Sequence, residues 1–394
     1  MSVRKRNGLH KKPWQVDYKD GQGKRRSKQF ATKKDADSFA ATAAVEVREG
    51  IHVADRATVT VKEAGTFWLA SAEAAGLERS TIGQYSGHLR LHIHPLIGAV
   101  RLSQLNVPRV RAFADALREA GRSSAMVRKV LVSLGSLLAD AQERGLTARN
   151  PVRDMRRARR QADGSRRKLQ VGVDIPTPTE IKAIVHATQG RWRPALITAI
   201  FTGVRSSELR ALRWQDVDLE GRLLHVRQRV DRYGKIGPPK SEAGTRSIPL
   251  PPMVVNTLKE WKLACSPNEG NFVFPNRNGK PEGHADLISQ GLIPTLLAAG
   301  LVAPVFDDEG KPVLNRRGKP VLKGKYTGLH ALRHWYASWC INRRLDGGLE
   351  LPAKTVQVRL GHSTITMLMD TYGHLFPETD DAAALARGER ALLG

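Results

Sequence analysis

A basic stretch poor in apolar residues divides this chain of 394 residues into parts that must fold separately. Pro151 follows a long series of helical patterns, and eight of the sixteen residues from Arg153 to Lys168 are Arg or Lys. A run of like charges repels itself and brings no side chains to a core. The chain is also longer than most single domains. The sequence therefore predicts a linker at 153–174 that precedes a C-terminal domain at 175–394.

The first 56 residues carry strand and helix signals of their own. Lys12–Asp20 alternates like a strand, a Gly-rich turn follows, and Arg25–Phe30 can return beside it. Thr32 can cap a helix over Lys33–Glu49. These signals predict a small β-rich module at 1–56. Basic residues gather at its hairpin, where they can enter a DNA groove or form a solvated turn. The residues are Lys24, Arg25, Arg26 and Lys28.

Residues 57–152 show apolar side chains at spacings of three and four, which is the pattern of amphipathic helices. The predicted helices are Val61–Ala75, Ser80–His92, Pro108–Ala120 and Ser123–Arg144. Together they predict a compact bundle of four helices with basic faces. The basic residues of the linker either stay solvated or follow a DNA backbone. They include Arg156, Arg157, Arg159 and Arg160.

The C-terminal part mixes both patterns. Helical stretches begin near Thr179, and Leu223–Val230 with Arg246–Leu250 is typical of a hairpin. A short repeat, GKPVL at 310–314 and again at 318–322, predicts a β-hairpin insertion over Gly310–Leu322. The fold class is therefore multidomain and mainly α with small β-sheets. It combines a β-rich module, a helical bundle and a mixed α+β domain.

The positive charge favours a polyanionic partner. The chain holds 64 Lys and Arg against 38 Asp and Glu, a net charge of +26, and each of its parts is positive. Such an excess repels itself unless nucleic acid neutralises it. Two cysteines cannot build a disulfide framework or a four-cysteine zinc site, so the cysteine content implies no metal. Without a long apolar run or a secretory signal, we expect a cytoplasmic protein.

Several reactive side chains in the C-terminal part suit phosphodiester chemistry, which needs a nucleophile, donors to phosphoryl oxygens and an acid. Arg205 follows a helix-ending glycine, and Glu208 stands three residues later on the next helix. His330 and Arg333 share a helical face because they are also three residues apart. Taken singly, each pair is more typical of an ordinary helix surface or of packing.

Three further residues complete the set. His362 lies in a turn after a helix, and Tyr372 stands at a predicted helix end with its hydroxyl accessible, since Gly373 follows. Lys240 occupies the predicted tip of the hairpin. A tyrosine at a helix end and a lysine at a loop tip are usually structural or solvated. The order and spacing of the whole group are what point to a site.

These strings resemble the tyrosine recombinase, or phage integrase, family. The matching patterns are T-G-x-R-x-x-E-L, H-x-L-R-H, L-G-H-S and Y-x-H, and a K-S followed by R-S-I-P-L is close to the family's lysine hairpin. The residues that fall on the family's catalytic positions are Arg205, Lys240, His330, Arg333, His362 and Tyr372. The resemblance extends over the chain: residues 1–52 resemble the module that binds accessory arm sites, 57–155 the core-site-binding domain, and 175–394 the catalytic domain.

The resemblance implies a mechanism. Tyr372 attacks a DNA phosphate that Arg205 and Arg333 hold, and Lys240 protonates the departing 5′ oxygen. His330 accepts a proton or aligns the phosphate, and His362 donates a hydrogen bond to it. Glu208 supports Arg205, whereas His334 and His374 have supporting or structural roles. The product is a 3′-phosphotyrosyl enzyme that keeps the bond energy, so rejoining needs no ATP. With two guanidiniums in place of a metal, the resemblance also implies that no cofactor is required.

The family implies double-stranded DNA with core and arm-type sites, a homo-tetramer on DNA, accessory bending or directionality proteins, and a phage or other mobile element as substrate. The C-terminal tail can pack on a neighbouring protomer or on its own domain. Two other readings remain: a non-catalytic DNA-binding protein that retains the fold, and a DNA-relaxing topoisomerase or chromosome-dimer resolvase. The filled catalytic positions oppose the first, and the module at 1–52 opposes the second.

Overall fold

The computed structural model describes residues 1–8, 10–20, 23–49, 52, 58–155, 168–307, 309–377 and 381–394. The chain forms two compact units, residues 1–163 and 164–394, and their boundary falls in the basic stretch. The finer division into three domains with a linker stays a prediction. Among the described residues, none of the helices combines the length and the apolar character needed to cross a bilayer.

The N-terminal unit begins with a three-stranded antiparallel sheet and a helix. Strands β1 (Ser2–Lys5), β2 (Trp14–Lys19) and β3 (Arg25–Phe30) lie in the order β1-β2-β3, and α1 (Lys33–Arg48) packs on one face. The Thr32 side chain accepts the N–H of Asp35, which caps α1 as predicted. Two of these strands and the helix are confirmed. The first strand was not predicted, because its four residues carry no clear alternation.

A helical bundle makes up the rest of this unit. Its core is built from apolar residues at helical spacing, including Trp68, Leu134 and Leu138, and Thr60 with Glu63 forms a capping box at its start. The predicted second helix continues through a π-helical turn at Leu89–Ile93. The α-helices are α2 (Val61–Ala74), α3 (Arg79–His88), α4 (His94–Ile97), α5 (Val107–Glu119), α6 (Ser124–Glu143) and α7 (Pro151–Asp154).

The C-terminal unit packs helices around one apolar core. Helix α9 is buried along most of its length, because small and branched apolar residues cover it on all sides, and it packs against α11 and α14. The α-helices are α8 (Pro178–Ala187), α9 (Arg193–Thr202), α10 (Ser206–Ala211), α11 (Pro252–Ala264), α12 (His284–Asp286), α13 (Ile293–Ala298), α14 (His330–Ile341), α15 (Ala353–Leu360), α16 (Ile365–Tyr372) and α17 (Asp381–Leu393). A π-helical segment, Leu287–Leu292, joins α12 to α13.

Short strands flank these helices. β4 (Val217–Asp218), β5 (Leu223–Val226) and β8 (Arg246–Pro249) form an antiparallel sheet in the order β4-β5-β8. The predicted strand Leu223–Val230 is interrupted, and its end forms a separate hairpin of β6 (Arg229–Val230) with β7 (Ile236–Gly237). The single hairpin predicted from Leu223–Val230 and Arg246–Leu250 is therefore divided between the β4-β5-β8 sheet and the β6-β7 hairpin.

The insertion before α14 contains more than the single hairpin that its repeat predicted. β9 (Val302–Pro304) pairs with β10 (Leu322–Gly324), and two tight turns lie between them. The N–H of Val313 donates to the carbonyl of Val305, that of Val321 to Val313, and that of Val305 to Val321, at 2.7–2.9 Å. Each valine is the middle residue of a Pro-Val-apolar triplet, and the triplets at 304–306, 312–314 and 320–322 are spaced by eight residues. The three hydrogen bonds therefore join three short extended segments in a closed ring.

Candidate active site

The turn between α9 and α10 positions Arg205. Gly203 ends α9 with a φ of +61°, and a Cβ atom there would lie 2.4 Å from the ring of Tyr336. Glycine is therefore required both for the left-handed backbone and for the close approach of α14. Arg205 follows as the residue before α10. Its N–H donates to Oε2 of Glu208 at 2.9 Å, and its Nη1 donates to Oε1 at 2.8 Å, the contact that the spacing predicted.

Glu208 is buried and is shared with a second arginine that the sequence reasoning did not select. Arg246 on β8 donates to both Glu208 oxygens, at 3.2 and 2.8 Å, and to the carbonyls of Gly244 at 2.8 Å and Arg359 at 2.7 Å. Burial alone raises the pKa of Glu208, but the hydrogen bonds and charge of Arg246, helped by Arg205, lower it overall. Glu208 is therefore a fixed carboxylate that orients one arginine with the help of another.

Arg333 on α14 is buried and meets Arg205 at the end of α15. Its Nη1 donates to the carbonyl of Gly203 at 2.7 Å, and its Nη2 to that of Leu360 at 2.5 Å. Nη2 of Arg205 donates to the neighbouring carbonyl, Gly361, at 3.0 Å. Burial and the charge of Arg205 lower the pKa of Arg333 to about 10. Two guanidiniums held this close favour a bound anion between them.

His362 stands beside this pair in a left-handed turn. Gly361 has a φ of +64°, and a Cβ atom there would come within 3.0 Å of the Ala243 carbonyl and the Arg246 guanidinium. The imidazole of His362 is buried, and its Nδ1 has no hydrogen-bond partner among the described residues. Burial, followed by the charge of Arg333, lowers the pKa of His362 to about 4, so the imidazole is neutral at pH 7.

Tyr372 is the last residue of α16, as predicted, but its hydroxyl is not accessible. The residue is 1% exposed, its ring stacks parallel to that of His362 with centroids 6.2 Å apart, and its hydroxyl lies 2.7 Å from Nδ1 of His334. Burial raises the pKa of Tyr372 to about 12, although Arg333 and Arg205 oppose the shift. The prediction of an exposed hydroxyl was wrong because α14 and the His362 turn cover the helix end.

His330 begins α14, on the same side as Arg333, which agrees with their spacing of three. Burial, then the charges of Arg333 and Arg205, lowers the pKa of His330. Its ring meets that of His334 edge to face, with centroids 5.1 Å apart. His334 was expected to play only a supporting role. The spacing of four from His330 was the one signal in the sequence that placed it on the same side of α14.

Lys240 does not lie at the hairpin tip. The tip is Asp231–Lys235, where the Asp231 carboxylate accepts the N–H groups of Tyr233 and Lys235 and so closes the turn early. Lys240 is exposed and follows β7, in a segment that leads through a 3₁₀ turn to Gly244. Since the Gly244 carbonyl binds Arg246, this segment is tied to the base of the site.

The predicted DNA-binding residues separate into groups. On β3, Arg26 and Lys28 lie on the face that α1 covers: Arg26 is paired with Asp20 at 2.8 Å, and the Lys28 ammonium lies 4.5 Å from the centroid of the Phe39 ring. Arg25 lies on the opposite, open face, and Lys24 is exposed at the turn. The linker residues Arg156, Arg157, Arg159 and Arg160 lie outside the described residues.

Other histidines lie outside this group. His374 contacts the carbonyl of Leu169 at 2.8 Å, and His284 contacts the hydroxyl of Ser206 at 2.8 Å. Among the described residues, no group of three or more His, Cys, Asp or Glu is arranged to hold a metal ion. The structure therefore brings together Arg205, His330, Arg333, His362 and Tyr372, with Glu208, Arg246 and His334 packed against them.

Comparisons with known proteins identify relatives of this chain. The sequence is 26% identical over 377 residues to a protein of Caldanaerobacter subterraneus subsp. tengcongensis named tyrosine recombinase XerC-like, and the match covers 91% of each chain. The fold is similar to that of the Tn1549 transposon integrase in complex with a circular intermediate DNA. That likeness has a TM-score of 0.62 and 20% identity, and it covers 85% of this chain and 100% of the other.

The fold is also similar to that of a lambda integrase in a structure of its dimer bound to a COC′ core site, with a TM-score of 0.57 and 18% identity. This likeness covers 96% of this chain and 97% of the other. The profile of the phage integrase family matches residues 176–379, which is just over half of the chain. That segment contains every residue of the cluster around Tyr372. The chain therefore belongs to the phage integrase family, and the protein is a site-specific tyrosine recombinase that acts on DNA.

Proposed function

We propose that Tyr372 is the nucleophile of strand cleavage and that it forms a 3′-phosphotyrosyl bond while a 5′-hydroxyl leaves. The observation that carries this proposal is the convergence of Arg205 and Arg333 on the adjacent carbonyls of Gly361 and Leu360, beside the His362 ring that stacks on Tyr372. A phosphodiester drawn to two guanidiniums there lies near a tyrosine hydroxyl of the same chain.

The arginines supply the electrostatic part of catalysis. Each guanidinium can donate two parallel hydrogen bonds, and the non-bridging oxygens of a phosphate accept such pairs. Because Glu208 and backbone carbonyls already fix both side chains, little reorganisation is needed as charge develops in the transition state. His330 and His362 align the phosphate, and burial lowers the pKa of each, which favours the neutral imidazole.

Lys240 is the proposed acid for the departing 5′ oxygen. It lies on an exposed segment whose far end is anchored by the Gly244 carbonyl on Arg246, so the lysine can reach DNA while its base stays fixed. The phosphotyrosyl bond conserves the energy of the phosphodiester. Attack by a second 5′-hydroxyl therefore rejoins a strand without ATP, and the two guanidiniums supply the charge that a metal supplies elsewhere.

We further propose that the substrate belongs to a phage or other mobile element. The integrases of phages, prophages and a transposon among the similar proteins support this, and so do the lambda integrase structures described as a dimer on a core site and a tetramer on a Holliday junction. On this reading, residues 57–152 bind the core site and 1–56 an arm-type site, with 153–174 linking them to 175–394. Four protomers act on DNA together with accessory proteins.

The test is covalent trapping on a nicked DNA duplex that carries the core site, without added metal or ATP. Wild type is compared with Tyr372→Phe, and with Tyr326→Phe as a matched control. Tyr326 is also buried, and its hydroxyl donates one hydrogen bond, to Glu180 at 2.8 Å, which the substitution removes. Tyr326 lies outside the cluster around Tyr372. We expect a denaturing gel to show a protein–DNA adduct with wild type and Tyr326→Phe only. Binding of that DNA without any adduct would refute the catalytic proposal.

A further inference from the structure

One contact at the nucleophile is left unused by the proposed mechanism. The hydroxyl of Tyr372 lies 2.7 Å from Nδ1 of His334, and the two rings meet edge to face with centroids 5.6 Å apart. His334 stands one turn along α14 from His330 and directly after Arg333. Because Tyr372 is buried, this contact fixes the direction in which the hydroxyl points.

We propose that His334 is a further catalytic residue, which holds the Tyr372 hydroxyl through Nδ1 and takes up its proton as the hydroxyl attacks the phosphodiester. This inference rests on the proposed function, since it assumes that Tyr372 is the nucleophile. It assigns the proton to a residue other than His330 and His362. Of those two, His362 contacts Tyr372 by stacking ring on ring, and His330 contacts the ring of His334.

The surroundings of His334 keep its imidazole neutral, as a proton acceptor must be before it takes up a proton. Nδ1 accepts a hydrogen bond only when the ring proton is on Nε2. The charged and titratable groups that face it are His330 and Arg333 on its own helix, Tyr372 on α16, and Asp174 in the segment before α8. Burial, His330 and Arg333 lower the pKa of His334 to about 4, so the imidazole is neutral at pH 7, whereas Asp174 favours the imidazolium.

The proton moves together with bond formation. In the resting site Tyr372 keeps its proton, because burial raises its pKa to about 12. As its oxygen bonds to phosphorus, the phenol becomes an aryl phosphate oxygen and its hydrogen becomes strongly acidic. The Oη–P bond then forms, the P–O5′ bond breaks, the phenolic proton passes to Nδ1 of His334, and the 5′ oxygen takes a proton from Lys240. Asp174 and the phosphate stabilise the imidazolium that results.

The experiment measures the single-turnover rate of adduct formation on the nicked DNA, at saturating protein, for wild type, His334→Ala and His334→Gln. The matched control is His225→Ala, because Nδ1 of His225 also contacts a hydroxyl, that of Ser247 at 2.8 Å, on the β5–β8 sheet. Gel shifts with intact DNA and thermal melting verify binding and folding. The glutamine variant keeps a polar group that can hold the hydroxyl but is not a base.

We expect both His334 variants to bind DNA normally and to form adduct at least about 100-fold more slowly, the usual effect of losing a general base. His225→Ala retains the wild-type rate. The wild-type rate is flat between about pH 6 and 9, whereas that of His334→Ala rises with pH and increases with added imidazole, because solvent or buffer must then remove the proton. A merely structural role does not change the shape of the pH profile.

Three results would overturn the inference. A wild-type rate in both His334 variants removes the role altogether, and a faster rate means that His334 restrains the tyrosine. A slow rate with the wild-type pH profile and no response to imidazole means that His334 acts only in packing. If wild type itself forms no adduct, the proposed function fails first and this inference fails with it.

Discussion

Replacing Arg246 with methionine tests how far the buried carboxylate Glu208 depends on its second arginine. Arg246 and Glu208 are 7% and 4% exposed, and four hydrogen bonds of the arginine disappear in the variant. Methionine preserves the apolar stem, so the loss is mainly electrostatic. Removing one partner of a buried ion pair costs about 3–5 kcal/mol, because the other charge stays buried. Since Arg205 still binds Glu208, we expect the free energy of unfolding of Arg246→Met to lie about 3 kcal/mol below that of wild type, at the lower end of this range.

The assay is urea unfolding of the full chain, followed by tryptophan fluorescence. Five of the seven tryptophans lie in the C-terminal unit, so the signal reports mainly on that unit. They are Trp192, Trp214, Trp261, Trp335 and Trp339. A double-mutant cycle with Glu208→Gln isolates the pair, and we expect a coupling of about 2 kcal/mol. The reasoning is refuted if Arg246→Met lowers the free energy of unfolding by less than about 1 kcal/mol. It is also refuted if the effects of Arg246→Met and Glu208→Gln are additive in the double mutant.

The same pair predicts a pH dependence. The pKa of Glu208 is held below its ordinary value of 4.5, so the ionised pair contributes stability above the unfolded-state pKa and loses it as pH falls through the folded-state pKa. We expect the difference in unfolding free energy between wild type and Arg246→Met to be largest at pH 7 and to shrink below about pH 4. A difference that is constant between these values would contradict the assignment.

Three further outcomes are expected. Gly203→Ala lowers the melting temperature of the C-terminal unit by several degrees more than Gly234→Ala, since both have positive φ but only the first meets a buried ring. Arg25→Ala weakens binding to arm-site DNA and reduces its salt slope by about one, whereas Arg26→Ala chiefly lowers the stability of the N-terminal sheet, as gel shifts and melting curves will show. Lys240→Ala loses cleavage of ordinary DNA but recovers it with a 5′-bridging phosphorothiolate, whose leaving group needs no acid; failure of this rescue contradicts the role of Lys240.

The sequence predicted the features that depend on local patterns. The capped helix after Thr32, the Arg205–Glu208 contact and the helix end at Tyr372 each rest on residues within a few positions of one another. Arg246 and His334 were missed as partners because each meets its counterpart across 38 residues, and no local spacing encodes such a contact.

Burial and turn chemistry account for the wrong predictions. Tyr372 was predicted to be accessible because Gly373 follows it, yet tertiary packing rather than the local helix end decides its exposure. Lys240 was placed at a hairpin tip because the side chain of Asp231, which closes the turn earlier, was not recognised as an Asx turn.

The ring of valine hydrogen bonds in the insertion has a consequence for how this segment can meet other molecules. An open hairpin leaves unpaired N–H and C=O groups along its outer strands, and these recruit strands from other chains. Here the backbone of Val305, Val313 and Val321 is satisfied within the ring, so these positions offer no template for strand addition. The residues that follow them, Phe306, Leu314 and Leu322, are each more than half exposed. Anything that contacts the insertion at these positions must therefore recognise side chains, and the insertion is protected there from edge-to-edge aggregation.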